Sequence, residues 1–367
     1  MYKVLLTIIS DPKTYQPFIL HVFKSKRQGK SEDVISGILI PKARKYYYPI
    51  INGIPRLLIG YRNLQFEKKY QKRIQTIIKN LSFPSTKEYE TVNIETFSRH
   101  WSKLHSYQIE GLSVWGVKGE QIVKDLKRIF HIGSSNLKGK WVLDAGCGNG
   151  VTSIAFLKTE GQVVAMDITS GVDTCASFCK KKKMKGRERI HFIQGSVENP
   201  PFRKNVFDII YSNGVLHHTS STKKSFNKLT PLVRKSGKFY IWLYVKNKSL
   251  YNRTVYTINR MLRYALTPFG SGGIYIFSYV WVFLMRLFHN FRNFLNRGDS
   301  FYLNLNMREH RLIIYDQFAI KFDWHHTYQE VIKWFRDEKF DAYAIPGIEA
   351  PANFQDHGVS IIGTKKR

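Results

Sequence analysis

The feature that most constrains the fold is a run of three closely spaced glycines between two apolar segments, at residues 142–157. The apolar residues before the glycines predict a buried strand, and those after Gly150 predict a helix. Gly146, Gly148 and Gly150 carry no Cβ atom, so the chain can turn tightly there and a ligand can approach the backbone. The segment therefore predicts a ligand-binding turn between a strand and a helix.

Short apolar runs separated by helix-length segments follow this turn. Such alternation predicts βαβ units around a parallel sheet. A basic, aromatic and helical stretch interrupts the pattern, which resumes at Thr327-Tyr-Gln-Glu330, a capping box. The runs predicted to be strands are Lys140–Asp144, Gln162–Asp167, Ile190–Gln194, Phe207–Tyr211, Lys238–Val245, Phe340–Ile345 and Val359–Ile362.

These patterns predict an α/β chain in four parts. A small β-rich module occupies residues 1–60, where Asn52-Gly53 indicates a hairpin turn, and a helical linker follows over residues 61–96. The α/β domain comprises residues 97–245 and 321–367. Residues 246–320 form a helical insertion after the fifth strand of the domain, and we expect it to be a substrate cap or a membrane contact.

Two acidic residues at predicted strand ends indicate which ligand the glycine turn binds. Asp144 lies just ahead of the glycines, two residues before Gly146, where it would repel a pyrophosphate but suits a ligand with a sulfonium and an ammonium group. Asp167 ends the next strand, where an acid accepts hydrogen bonds from ribose hydroxyls. The Gly-x-Gly-x-Gly spacing also differs from the Gly-x-Gly-x-x-Gly of dinucleotide sites.

The run Asp144–Gly150, together with Asp167, resembles the first motifs of class I S-adenosylmethionine-dependent methyltransferases of the type 11 kind. Phe192–Phe202 resembles the motif that covers the adenine, although Ser196 stands where relatives usually have an aspartate, and Phe207–Thr219 resembles the fourth motif. The resemblance implies a Rossmann-like, seven-stranded sheet and S-adenosyl-L-methionine as cofactor. The cofactor-binding residues that it implies are Phe97, Trp101, Asp144, Ala145, Gly146, Cys147, Gly148, Asn149, Gly150, Asp167, Ile168, Ser196, Val197, Glu198, Asn213, Gly214 and Val215.

Methyl transfer is an in-line displacement, and a general base assists it when the acceptor is a hydroxyl. His217 and His218 follow the fourth strand of the domain and are the candidate catalytic residues. The alternative is a structural role, because this family often has two histidines in that turn. His325 and His326 are second candidates. The chain lacks the Cys/His spacings of zinc sites, so we predict no metal.

Residues 35–59 resemble a small zinc-ribbon-derived module that precedes some methyltransferase domains and also acts separately as an activator of RNA and protein methyltransferases. Members that hold zinc use cysteine pairs, but this chain has no cysteine before Cys147. The resemblance therefore implies a metal-free module. The alternative is a β-hairpin cap on the catalytic domain.

The chain is strongly basic, with 58 Lys and Arg against 27 Asp and Glu, a net charge of +31. Such a surface attracts RNA, anionic lipid headgroups or phosphorylated substrates, although a merely solvated basic surface is the simpler alternative. The apolar run Ile274–Met285 is about half the roughly 20 residues that span a bilayer, so it predicts a buried or interfacial helix. Three cysteines indicate a reducing compartment. We expect a cytoplasmic protein, with peripheral attachment to the inner face of the membrane as a further hypothesis.

Three functional hypotheses remain open. The first is O-methylation of a small-molecule or lipid-linked glycan acceptor that carries negative charge. The second is an RNA methyltransferase, which the net charge favours. The third is a catalytically silent methyltransferase-like binding subunit. The oligomeric state is not predicted.

Overall fold

The computed structural model describes residues 1–28, 31–42, 44–84, 94, 97–98, 101, 109–114, 117–133, 137–246, 250–294, 307–345 and 358–367. The predicted linker over 61–96 and the predicted insertion over 246–320 therefore lie partly outside the described residues. The strands are β1 (Phe18–Gln28), β2 (Ser31–Pro41), β3 (Tyr48–Ile51), β4 (Ile54–Leu57), β5 (Ser113–Val114), β6 (Val117–Lys118), β7 (Trp141–Ala145), β8 (Gln162–Asp167), β9 (Ile190–Gly195), β10 (Phe207–Asn213), β11 (Val233–Tyr244), β12 (Phe340–Ala344) and β13 (Gly358–Lys365). The α-helices are α1 (Leu64–Ile77), α2 (Gly119–Phe130), α3 (Val151–Leu157), α4 (Gly171–Lys181), α5 (Thr222–Leu229), α6 (Leu250–Leu266), α7 (Gly270–Phe294), α8 (Met307–Ala319) and α9 (Tyr328–Asp337).

The central sheet has the order β1-β2-β3-β4-β9-β8-β7-β10-β11-β13-β12. Strands β9, β8, β7, β10 and β11 are parallel neighbours, and β13 is antiparallel both to β11 and to β12. These seven strands confirm the predicted Rossmann-like fold. The fifth of the predicted strands starts earlier than expected, because its hydrogen bonding to β10 already begins at Val233.

The N-terminal strands continue this sheet. β4 pairs in parallel with β9, opposite Gln194 and Gly195, so four further strands extend one edge. Asn52 and Gly53 both have positive φ angles, 54° and 81°, and form the predicted hairpin turn between β3 and β4. Because the module shares backbone hydrogen bonds with the α/β part, the edge beside β9 is already paired.

Helices cover both faces of the sheet. α2, α3 and α4 pack on one face, whereas α5 and α9 pack on the other. Successive residues of β7 show the division. Val142 belongs to the core beneath α2, α3 and α4, whereas Leu143 belongs to the core beneath α5 and α9. The capping box between Thr327 and Glu330 begins α9, as predicted.

The helices α6, α7 and α8 follow β11 and form a small core of their own. Ile274 and Val282 of α7 pack against Tyr315 and Phe318 of α8. The predicted apolar run lies wholly within α7. Among the described residues, no helix combines the length and apolar character needed to cross a membrane.

Candidate active site

The glycine turn is held against the end of the neighbouring strand. The backbone N–H groups of Gly146 and Cys147 donate to the carbonyl oxygen of Met166, at 2.8 and 3.0 Å. Gly146 has a φ of +90°, and a Cβ atom there would lie 2.3 Å from Cγ2 of Val215. Both the backbone angle and the close contact therefore require glycine at this position.

Asp167 connects the turn to the end of β8. One carboxylate oxygen accepts from the Gly148 N–H at 2.8 Å, and the other accepts from the Thr169 N–H at 2.9 Å. Burial raises the pKa of Asp167, although these hydrogen bonds act in the opposite direction. Each oxygen retains a lone pair, so this carboxylate can still accept from two adjacent hydroxyls.

Asp144 lies one strand away and is 2% exposed. Its carboxylate accepts a hydrogen bond from Oγ of Ser153, at 2.5 Å. Ser153 lies in the first turn of α3. A carboxylate that is buried beside the glycine turn suits a cationic part of a ligand, which would compensate its charge.

The loops after β9 and β10 complete this edge of the sheet. Ser196 Oγ accepts from the Glu198 N–H at 3.2 Å, and the Glu198 carboxylate accepts from the Ser220 N–H at 3.2 Å. Gly214 has a φ of +71° and donates its N–H to the Trp242 carbonyl. The predicted residues of four different motifs thus converge on the carboxyl ends of parallel strands, where ligands bind in open α/β sheets.

Phe97 and Trp101, the two aromatic residues predicted to bind the cofactor, lie over the same region. A Cβ atom on Gly148 would lie 2.8 Å from the indole ring of Trp101, so the ring rests directly on the glycine turn. The ring of Phe97 lies 5.8 Å from that of His218. The structure therefore brings together both aromatics and the strand-end residues. Their contacts with a cofactor remain a prediction.

His217 and His218 form a short 3₁₀ turn after β10, and both are buried. The Nδ1 of His218 lies 3.0 Å from the carbonyl oxygen of Phe322, so Nδ1 carries the proton and Nε2 keeps its lone pair. Burial lowers the pKa of His218 to about 4. His217 stacks on Tyr244, and within the described residues its ring nitrogens have no hydrogen-bond partner. Burial also lowers the pKa of His217 well below its ordinary value.

A group of charged residues beside these histidines was not predicted from the sequence. Asp323 lies 3.3 Å from Nε2 of His325 and 2.9 Å from Nη2 of Arg263 on α6. Burial alone would raise the pKa of Asp323, but the bond with His325 and the nearby cationic groups hold it well below its ordinary value. The sequence feature that could have indicated this group is the run Asp323-Trp-His-His326, just before the capping box. Nothing in that run indicates Arg263 as the partner.

The two second-candidate histidines have different places. His325 donates from Nδ1 to the Val245 carbonyl at 3.0 Å and belongs to the charged group. His326 contacts Thr222 and Glu330 through its two ring nitrogens, at 2.9 and 3.2 Å, and its ring packs on Trp334. His326 therefore joins α5 to α9, which indicates a structural role rather than a catalytic one.

In the described part of the chain, no three His, Cys, Asp or Glu side chains are arranged to hold a metal ion. The three cysteines are buried, and burial raises the pKa of Cys147 well above its ordinary value. Cys175 and Cys179 lie on successive turns of α4. Cys175 packs on the glycine turn, because a Cβ atom on Gly150 would lie 2.2 Å from its Sγ.

A second unpredicted contact joins the N-terminal module to the site. The Arg56 guanidinium of β4 binds both carboxylate oxygens of Asp173 on α4, at 2.6 and 2.7 Å, and also contacts Gln194. Gln194 in turn donates to the carbonyl oxygen of Ile168, the residue after Asp167. The module thus supports the loop that carries the predicted ribose-binding acid.

We expect Arg56→Ala to lower the free energy of unfolding by about 2 kcal/mol, because it leaves the buried Gln194 and the half-buried Asp173 without their donor. We also expect it to weaken binding of S-adenosylhomocysteine severalfold, since the loop after β8 loses its support. Urea unfolding and titration calorimetry measure the two effects. Arg62→Ala is the matched control, because it removes the exposed pair with Glu67 and should cost about 0.5 kcal/mol. Equal effects of the two variants would contradict a supporting role for Arg56.

Comparison with known proteins connects this geometry to a family. Residues 143–241 match a family model described as a methyltransferase domain. An uncharacterized methyltransferase of Bacillus subtilis, YcgJ, is 33% identical over 101 residues, which are 27% of this chain and 39% of that protein. Its crystal structure covers 68% of this chain and 99% of its own, with 16% identity and a TM-score of 0.40.

Two further relatives have names that state an activity. The malonyl-[acyl-carrier protein] O-methyltransferase of Legionella pneumophila is 30% identical over 98 residues, 26% of this chain and 33% of that protein. The tRNA U34 carboxymethyltransferase of Tolumonas auensis is 32% identical over 109 residues, 29% of this chain and 32% of that protein. The chain thus spans only about a third of the length of the curated relatives that it matches. With the motifs, the sheet order and the matched family model in agreement, the chain carries a class I methyltransferase domain, whose cofactor is S-adenosylmethionine.

Proposed function

We propose that the chain methylates a hydroxyl oxygen of a small-molecule or lipid-linked glycan acceptor that carries negative charge. The observation that carries this proposal is the state of His218, a buried neutral imidazole beside the cofactor site. Its Nδ1–H is held by the Phe322 carbonyl, so Nε2 is available to accept a proton from an acceptor hydroxyl.

When bound, S-adenosylmethionine supplies an activated methyl group. Asp167 would hold its ribose and Asp144 its charged methionine part, so the chain contributes mainly alignment, which can be worth about 7–11 kcal/mol. His218 would take the hydroxyl proton of the acceptor at Nε2 during the transfer. Asp323 carries a negative charge close by, and it would stabilise the imidazolium that results.

His217 suits the binding of the acceptor. It is 0% exposed, and polar atoms buried in this way are usually hydrogen-bonded. An acceptor hydroxyl could supply the partner that its ring nitrogens lack among the described residues. Arg263 and the net charge of +31 favour an anionic acceptor. A lipid-linked acceptor would place this enzyme peripherally at the inner face of a membrane.

An RNA methyltransferase is the alternative proposal. The net charge favours it, and one relative carries a name that includes tRNA U34 carboxymethyltransferase. The name of another relative, an O-methyltransferase, favours the oxygen acceptor. A catalytically silent binding subunit is the third proposal. It is disfavoured because the chain has the complete set of Asp144, the glycine turn and Asp167.

One experiment separates these proposals. Purified protein is incubated with methyl-labelled S-adenosylmethionine and an extract of its native cells, and the lipid, RNA, protein and soluble fractions are counted. Label in the lipid or soluble fraction supports the glycan acceptor, whereas ribonuclease-sensitive label supports RNA. The Asp167→Ala variant is the control for label from other enzymes. Cofactor binding without any transferred label would favour the silent subunit.

A further inference from the structure

The outer face of α7 is apolar and has no covering element among the described residues. Seven large apolar side chains recur in the pattern i, i+3, i+4, i+7 and i+8 of one helix face, so they form one continuous stripe. Each of them is between 48% and 68% exposed. These residues, which we call the outer stripe, are Ile276, Tyr279, Val280, Phe283, Leu284, Leu287 and Phe288.

The opposite face of the same helix is already used for packing. Ile274 and Val282 are buried against α8, and Ser278 between them is buried as well. The outer stripe is therefore not needed for the small core of the insertion. Neighbouring α6 also exposes Ile258, Met261 and Tyr264, and Phe269 between the two helices is 68% exposed. Exposed apolar area of this extent on a single protein marks an interaction surface.

The charges of this region indicate what covers it. Residues 250–294 contain five arginines and no aspartate or glutamate. Arg260 is exposed and lies 5.8 Å from the ring of the exposed Tyr264. A helix with an apolar face, arginines and interfacial aromatics binds at the boundary between headgroups and acyl chains, and anionic lipid adds electrostatic attraction. A second copy of the chain would instead bring its own +31 charge to the contact.

We infer that the outer stripe of α7, with the exposed apolar residues of α6, is a docking surface for an anionic lipid bilayer. The helices lie on the membrane rather than across it, in agreement with the absence of a spanning helix among the described residues. Arg263 ties α6 to Asp323 and to the Gln317 carbonyl, so the docked helices stay attached to the acceptor side of the site. This link to the acceptor rests on the proposed function, whereas the bilayer contact does not.

The test is flotation of the full-length protein with vesicles of phosphatidylcholine, with and without phosphatidylglycerol. We expect the parent to float only with phosphatidylglycerol and to be released by high salt, which screens the attraction. The double variant Phe283→Ser and Leu287→Ser should partition at least about a hundredfold less, because each buried side chain of this size contributes at least about one tenfold step. The pair Ile19→Ser and Leu64→Ser removes exposed apolar residues elsewhere and should float like the parent.

Two further measurements make the result decisive. Binding of S-adenosylhomocysteine by the double variant shows that its fold and cofactor site are intact. Light scattering shows whether the outer stripe joins two copies instead, which would overturn the inference if the parent were a dimer and the variant a monomer. A parent that stays unbound, or a variant that floats as well as the parent, would overturn it too. Flotation requires no methyl transfer, so its failure is distinct from a failure to find label in any acceptor fraction.

Discussion

Asp167→Ala is expected to weaken binding of S-adenosylmethionine by about 10²- to 10⁴-fold. The parent carboxylate can accept two ribose hydroxyls, and hydrogen bonds to a charged group contribute about 1.5–3 kcal/mol each. The substitution also removes the acceptor of the Gly148 and Thr169 N–H groups, so the turn itself loses its support. Asp144→Ala is expected to act in the same direction through the loss of a buried charge.

Titration calorimetry with S-adenosylhomocysteine measures this effect, and circular dichroism checks the fold. Asp208→Ala is the matched control, because Asp208 also accepts a backbone N–H, from Trp141 at 2.8 Å, but lies at the opposite end of the strands. Burial raises the pKa of Asp167, so affinity should decline with falling pH earlier than for an ordinary aspartate. Parent-like affinity of Asp167→Ala would show that another group holds the ribose.

His218→Ala is expected to lower kcat by about 10²- to 10⁴-fold, the usual contribution of a general base. Cofactor affinity should stay within a few-fold of the parent, because His218 is not among the residues of the fourth motif that we assign to the cofactor, which are Asn213, Gly214 and Val215. Free imidazole in the buffer should restore part of the rate, since it can occupy the space that the ring leaves. Rescue of this kind distinguishes proton transfer from a packing role.

The pH dependence of kcat/KM tests the same role of His218. The base acts in its neutral form, so kcat/KM of the parent should be constant above about pH 5 and fall as the pH drops toward 4, where His218 becomes protonated. His191→Gln is the control, since this buried histidine, whose pKa burial lowers to about 3, lies at the amino end of β9, away from the strand ends that carry the site. A full rate in His218→Ala, or no imidazole rescue, would assign His218 to structure.

The local patterns of the chain predicted most of the α/β part. The strand, glycine turn and helix at residues 141–157 depend on neighbours in sequence, and the same holds for the hairpin at Asn52-Gly53 and the capping box at Thr327. The acids Asp144 and Asp167 were identifiable because each ends a strand. Glycine spacing and strand ends are local properties, and local properties can be read from a sequence.

Contacts between distant segments were not predictable in this way. Arg263 and Asp323 are 60 residues apart, and Arg56 and Asp173 are 117 apart. No periodicity indicates that either pair meets. The pairing of β4 with β9 is of the same kind, because edge strands carry no local signal for the partner that they choose.

The sequence by itself determined the class of the fold, the succession of strands and helices along its α/β part and the residues that surround the glycine turn, because hydrophobic period and turn chemistry act over a few residues. Only the tertiary structure decided that the N-terminal module extends the sheet, that His218 is fixed by Phe322, and that no other described part of the chain covers one apolar face of α7. These features depend on which surfaces meet after the chain has folded, and burial then sets the charge state of each histidine.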